Sequence, residues 1–376
     1  MSSKLLTDAK RVVIKIGSAL LVDEQNGTVH RKWLETLAAD VARLKLNGKD
    51  VILVSSGAIA VGRRYLGLPD GHLKLEDKQA AAATGQIRLA HAYQEVLGHH
   101  DLIVAQMLVT LEDTENRRRY LNARNTLNAI LRRGGVPLIN ENDTVATDEI
   151  RFGDNDRLAA RIAAMSGTDL LVLLSDIDGL YTADPGQDDT AQHVSEITEI
   201  TPEIDAMAGG SKTAHGSGGM VTKLAAAKIC LMNGCAMVIT KGDAQFPLKR
   251  LEDGEKASWF IPSTTPAKAR KCWIAGSLQT SGTLVLDDGA LQALKNGKSL
   301  LPIGVAKIEG TFDKGDAVIL KDSAGLELAR GLSSYSSGDA QKIIGKKSAE
   351  IEALLGYRGR DELIHRDDLA MTESKT

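Results

Sequence analysis

DVILVSSGAIAVG, residues Asp50 to Gly62, carries the reading of the fold. Its first half is a short, nearly unbroken run of Val, Ile and Leu, the mark of a strand buried on both faces rather than one face up to water. Ser55, Ser56 and Gly57 then break the run, and the small residues after them open a helix. The same strand–turn–helix unit recurs along the chain. RVVIKIGS (Arg11–Ser18), LIVAQML (Leu102–Leu108), GVPLIN (Gly135–Asn140), DLLVLLSD (Asp169–Asp176) and AMVIT (Ala236–Thr240) read as strands. Helical spacing of apolar residues covers Arg31–Leu46, Arg117–Arg133, Asp156–Met165 and Met220–Met232. Strands alternating with helices predict a three-layer αβα sandwich around a largely parallel sheet. In such sheets ligands bind beyond the carboxyl ends of the strands, where each polar cluster of this chain falls.

The rhythm changes near STTPAKARKCWIAG (Ser263–Gly276), and from Ser281 the apolar runs shorten between glycine and aspartate turns. The expectation is a first, α/β domain over 1–265, a linker with a closing helix over 266–280, a small β-rich barrel over 281–363 and a tail over 364–376. A net charge of −3 provides no field to draw the chain to nucleic acid or membrane. The three cysteines form no C-x-x-C pair, and no apolar run resembles a signal core or a bilayer span, so a cytoplasmic protein is expected.

The standard nucleotide fingerprints, a P-loop and a G-x-G-x-x-G after a strand, are missing. Three other features point to phosphate. HGSGGMVTK (His215–Lys223) is a glycine-rich loop opening a helix, whose free N–H groups suit an anion or a plain cap equally well. Lys15 interrupts an apolar strand, where an unpaired ammonium is costly and must either snorkel outward or reach a phosphate. Ser175 and Asp176 close another strand. Between these features lies NENDTVATDEIRFGDND (Asn140–Asp156), with six acids and three asparagines but only Arg151 as a base. Such a run is either a solvated loop or a site facing a positive group.

VIKIGS, VSSGAIAVG, NENDTVAT, FGDNDRLAA, LLSDIDGLYTADP and GSGGMVTK, in that order, resemble the glutamate 5-kinase (γ-glutamyl kinase) family, an amino acid kinase family with a C-terminal PUA domain. GTLVLDDGA, SLLPIGV and HRDD, beyond Ser281, look like that family's PUA domain, and no fused reductase domain is expected. The resemblance implies transfer of the ATP γ-phosphoryl group to the γ-carboxylate of L-glutamate, opening the route to proline. It assigns Lys15, Ser175, Asp176 and the loop Ser217, Gly218, Gly219, Met220, Val221, Thr222 and Lys223 to ATP. Ser56, Asp143 and Asn155 would contact glutamate, Asp143 as partner of the α-ammonium and Asn155 as a neutral donor. Asp156 would organise the two phosphate lysines, making Lys15, Asp156 and Lys223 the catalytic set. Glu141, Asp148 and Glu149 are left as solvated loop charges.

A carboxylate nucleophile with a pKa of about 4.3 is already ionised at neutral pH, so no general base is expected. The difficulty is to bring an anion to a polyanion, which calls for positioning and charge neutralisation. No dense acid cage is visible, so Mg2+ is expected on the ATP phosphates and no protein metal site is assigned. The resemblance further implies a homo-oligomer, feedback inhibition by proline and a separate reductase that receives the acyl phosphate. Acetylglutamate, aspartate, carbamate and UMP kinases share the lysine and glycine-loop logic and are the nearest alternatives. An RNA-binding role through the PUA domain is opposed by its charge: residues 281–376 hold 13 Lys and Arg against 15 Asp and Glu.

Overall fold

A computed structural model describes residues 4–23, 26–146, 155–208, 219–276 and 279–372, and the chain divides into two units, Met1–Pro266 and Ala267–Thr376.

In the first unit the strands β1 (Arg11–Ile16), β2 (Asp50–Ser55), β3 (Val104–Val109), β4 (Val136–Glu141), β5 (Leu170–Ser175), β6 (Glu196–Ile197), β7 (Ala236–Lys241) and β8 (Ala257–Phe260) form one sheet. Their order is β6-β8-β7-β5-β1-β2-β4-β3. Each pairing is parallel except β7 with β8. Its inner strands are buried on both faces, as the unbroken apolar runs require, whereas the edge strand β3 leaves Gln106 and Leu108 exposed.

Period-two alternation divides each strand between the two faces. Val12, Ile14 and Ile16 point to one side, where they join Leu34, Leu37 and Val41 of α1 (Arg31–Leu46). Leu89 and Tyr93 of α3 (Leu75–Gly98) belong to the same cluster, and α2 (Ala58–Tyr65) adds Val61. Val13 points to the other side, with Leu127 of α4 (Arg117–Arg132), Leu158 and Ile162 of α5 (Asn155–Ser166), and Leu224 and Ala227 of α6 (Met220–Met232). Lys15 shares the parity of Val13, so its side chain lies on the face covered by α5 and α6.

Strand β1 is the point where the order reverses. The chain leaves it for β2 on one side and later returns to β5 on the other, so Lys15 is flanked in register by Val54 and by Leu173. A topological switch point opens a crevice at the carboxyl ends of the strands, and Lys15 stands at its floor.

In the second unit β9 (Thr280–Leu286), β10 (Val305–Gly310), β11 (Ala317–Lys321), β12 (Glu327–Leu332) and β13 (Leu369–Met371) form a five-stranded sheet in the order β10-β9-β11-β12-β13. Leu284, Val318, Leu320, Ala329, Ile343 and Leu363 form its core. The segment expected as a linker with a closing helix holds α7 (Pro266–Gly276), whose Ile274 is fully buried and whose Arg270 pairs with Asp368. The tail assigned from residue 364 is ordered further, because β13 pairs antiparallel with β12 and buries Leu369 and Ala370.

Candidate active site

The crevice is organised by one carboxylate. Asp156, the second residue of α5, has no exposed surface. Lys15 Nζ stands 2.6 Å from its Oδ1, Lys223 Nζ donates to its Oδ2 at 3.3 Å, and Thr222 Oγ1 donates to Oδ2 at 2.9 Å. Lys15 and Lys223 are themselves only 9% and 4% exposed. An isolated charge at such depth would be expelled or neutralised, so three charges persist here because each answers another. Burial alone would push the Asp156 carboxyl up. The Lys15 and Lys223 ammoniums, with hydrogen bonds from Lys15 and Thr222, outweigh it and hold the carboxyl below the usual aspartate range. One negative and two positive charges leave the cluster cationic.

On one side of this triad lie Ser175 and Asp176, at the end of β5. Ser175 Oγ donates to Asp176 Oδ1 at 2.9 Å, with Ser175 buried and Asp176 exposed. The N-terminus of α6 faces the same ground, with Gly219 as its N-cap and Met220, Val221, Thr222 and Lys223 as its first turn. Ser217 and Gly218 lie outside the described residues. Lys241, which received no role from the sequence, pairs with Ser175 in the β-ladder and sets a further ammonium at this edge, 3.0 Å from Asp243. Its position at the last residue of an apolar strand was the available signal.

On the other side lie the carboxyl ends of β2 and β4. Ser56 follows β2, and Gly57 then turns at φ +94° to start α2, a conformation that favours glycine. Asn155, the first residue of α5, donates from Nδ2 to Ser55 O at 2.6 Å, to Asn140 Oδ1 at 2.9 Å and to Ser56 Oγ at 3.0 Å. Those contacts engage, with protein acceptors, the Nδ2 group that the resemblance implies as a donor to glutamate, and Oδ1 is the amide's remaining polar atom. Asp143 lies half-buried just past β4.

The acidic run is thus neither wholly loop nor wholly site. Glu141, expected to be solvated, ends β4 and is only 7% exposed, because the strand continues one residue beyond its apolar run. Asp148 and Glu149 lie outside the described residues. Gln86 and Asn140 are the side chains the sequence left without a role. Gln86 is hidden in an alanine-rich stretch of α3, and its buried contact with Asn140 brings together residues far apart in the chain. Among the described residues no cluster of three or more His, Cys, Asp or Glu side chains is arranged to hold a metal ion. No described helix is long and apolar enough to cross a membrane.

These features meet a consistent set of relatives. The amino acid kinase family model matches residues 10–241, and the PUA domain model matches residues 282–355. Glutamate 5-kinase of Paramagnetospirillum magneticum is 63% identical over 97% of this chain and 99% of its own. The enzymes named glutamate 5-kinase in Rhizobium etli (strain CFN 42) and Rhodospirillum rubrum are each 58% identical, over 99% and 96% of this chain and 95% and 96% of theirs. With the matched segment spanning β1 to β7, and with Lys15, Asp156 and Lys223 inside it, the chain belongs to the amino acid kinase family, among its glutamate 5-kinases.

Proposed function

We propose that the protein transfers the γ-phosphoryl group of ATP to the γ-carboxylate of L-glutamate, forming γ-glutamyl phosphate and ADP. The observation that carries this reading is the buried Lys15–Asp156–Lys223 triad, which stands between two differently equipped flanks. Ser175, Asp176 and the first turn of α6 suit a nucleotide, through free N–H groups and the positive end of a helix. Ser56, Asp143, Asn155 and the turn at Gly57 suit a small amino acid. Asp143 answers the α-ammonium through a charge-assisted hydrogen bond.

Two anions then approach one another over a cationic floor. The γ-carboxylate attacks phosphorus, the bond to the β–γ bridging oxygen breaks, and that oxygen leaves with ADP. No proton has to move, since the attacking carboxylate is ionised at neutral pH. Lys15 and Lys223 neutralise charge on the transferring group, and Asp156 fixes both ammoniums before substrate arrives. This is electrostatic preorganisation, in which the donors need no rearrangement at the moment of reaction. Asp156 is committed to the two lysines and Thr222, which favours Mg2+ entering on the ATP phosphates. Bound there, Mg2+ would supply further charge neutralisation. The product is a mixed anhydride prone to hydrolysis, which favours delivery to a reductase.

Trapping the product tests this directly. With hydroxylamine present, an acyl phosphate gives a hydroxamate and inorganic phosphate. Purified protein with ATP and Mg2+ is expected to form hydroxamate with glutamate and far less with aspartate or N-acetylglutamate. Preference for either of the other acids would move the protein to a different carboxylate kinase activity.

A further inference from the structure

Three side-chain amides run in a line from α3 to the glutamate flank. Gln86 Oε1 accepts from Asn140 Nδ2 at 2.7 Å, and Asn140 Oδ1 accepts from Asn155 Nδ2 at 2.9 Å. The direction of this line is set by main-chain groups. Asn140 Oδ1 also accepts the Glu141 N–H at 2.9 Å, so the atom there must be oxygen. Asn155 Nδ2 lies 2.6 Å from the Ser55 carbonyl, so the atom there must be nitrogen. Neither amide can flip without setting donor against donor or acceptor against acceptor. Asn155 therefore keeps Oδ1 as its spare group, and among the described residues no donor meets it.

We propose that Gln86 is a positioning residue that makes the substrate site selective for an ammonium. It holds Asn140, and through Asn140 it holds Asn155 as an acceptor for the α-ammonium of glutamate, beside Asp143. Gln86 is 92% removed from solvent, judged by its 8% exposure, and its placement is fixed by the residue before it. At Gly85 a Cβ would lie 1.8 Å from Ala58 O, and at Gly62 one would lie 1.7 Å from Ala81 O, so α2 and α3 cross with backbones in contact. That crossing ties Gln86 to the same helix, α2, whose start follows Ser56. Removing the Gln86 oxygen leaves Asn140 Nδ2 buried without a partner. The Asn140 amide can then recover one only by turning away from Asn155.

The inference rests on the proposed glutamate site, and its test separates the two. Gln86→Met keeps the bulk and removes the acceptor, whereas Gln86→Glu keeps an acceptor oxygen. The comparison ligand is glutarate, which is glutamate without its ammonium, read as a competitive inhibitor. In Gln86→Met the glutamate KM should rise about tenfold, as for loss of a charge-assisted hydrogen bond. The glutarate Ki, the KM for ATP and kcat should stay near wild type, and Gln86→Glu should recover most of the glutamate KM. Gln86→Ala should show the same change in the glutamate-to-glutarate ratio, so a folding failure in one variant leaves the ratio readable in the other. Equal weakening of glutamate and glutarate would reduce Gln86 to a packing residue, and no change in either would overturn the proposal. Absence of glutamate turnover in the wild-type protein would instead remove the functional reading on which it rests.

Discussion

The Lys15 ammonium on β1 and the Asp156 carboxylate on α5 meet at 2.6 Å, with the carboxylate fully enclosed and Lys223 reaching its second oxygen. Two buried cations therefore share this buried anion. The excess positive charge is the feature a phosphoryl group would complete. Asp156→Asn is expected to take this buried carboxylate away from both lysines, at a cost of about 3–5 kcal/mol in folding stability. It should also lower kcat more than it changes either KM, because its partners are the lysines proposed to act on the transferring group. Urea unfolding together with steady-state kinetics checks both halves.

Lys15→Ala and Lys223→Ala should each lower kcat by roughly a hundredfold or more, the scale of losing one preorganised donor to a developing charge. The sequence alone suggests that folding would tolerate these changes at a polar strand end. The depth of the triad changes that expectation: each variant strips a buried carboxylate of one of its two ammonium partners and should unfold at lower denaturant than wild type. Near-normal turnover in either folded variant would remove that lysine from the chemistry.

The depressed Asp156 carboxyl gives stability a definite pH dependence. A group whose folded pKa lies below its unfolded value of about 3.9 contributes fully above that value and loses its contribution as pH falls through the folded one. The stability gap between wild type and Asp156→Asn should therefore be flat at neutral pH and narrow only below about pH 4. Denaturation at a series of pH values measures it. A gap that narrows near pH 6 would mean that the carboxyl is not held low.

Most of the frame is legible in the sequence. Helices expected at Arg31–Leu46 and Met220–Met232 form with those limits, each closed by the asparagine that follows it, Asn47 and Asn233. The parity of Lys15 with Val13 is also readable, since alternation in a strand leaves no freedom. The partners of Asn155 are not. Its three acceptors come from β2, the following turn and β4, and only the folded sheet brings them together. Gln86 was invisible for the same reason, and Glu141 was misread because an acidic neighbourhood hides a strand end.

Gly85 is legible as a packing residue only in three dimensions. A side chain there would press on the Ala58 carbonyl, so Gly85→Ala should cost about 1–3 kcal/mol or more through overpacking between α2 and α3. Because α2 begins just after Ser56, the glutamate KM should rise along with the loss of stability. Thermal unfolding and kinetics on the same preparation test the link. A stable variant with an unchanged KM would show that the crossing does not govern that flank.

Asp143→Asn tests the proposed ammonium contact. Loss of a charge-assisted hydrogen bond is worth about 1.5–3 kcal/mol, or roughly a ten- to hundredfold rise in glutamate KM with little change in that for ATP. An unchanged glutamate KM in the folded variant would remove Asp143 from the site.

The central claim is that a carboxylate oxygen of glutamate attacks phosphorus with no base and no intervening water, and following that oxygen tests it most directly. Glutamate labelled with oxygen-18 in its γ-carboxylate is incubated with ATP, Mg2+ and hydroxylamine, and the released phosphate is analysed by mass. Hydroxylamine attacks the acyl carbon, so the bridging oxygen departs with phosphate. The account predicts glutamate-dependent phosphate carrying one labelled oxygen in proportion to the γ-carboxylate enrichment, and unlabelled phosphate would contradict it by making water the nucleophile.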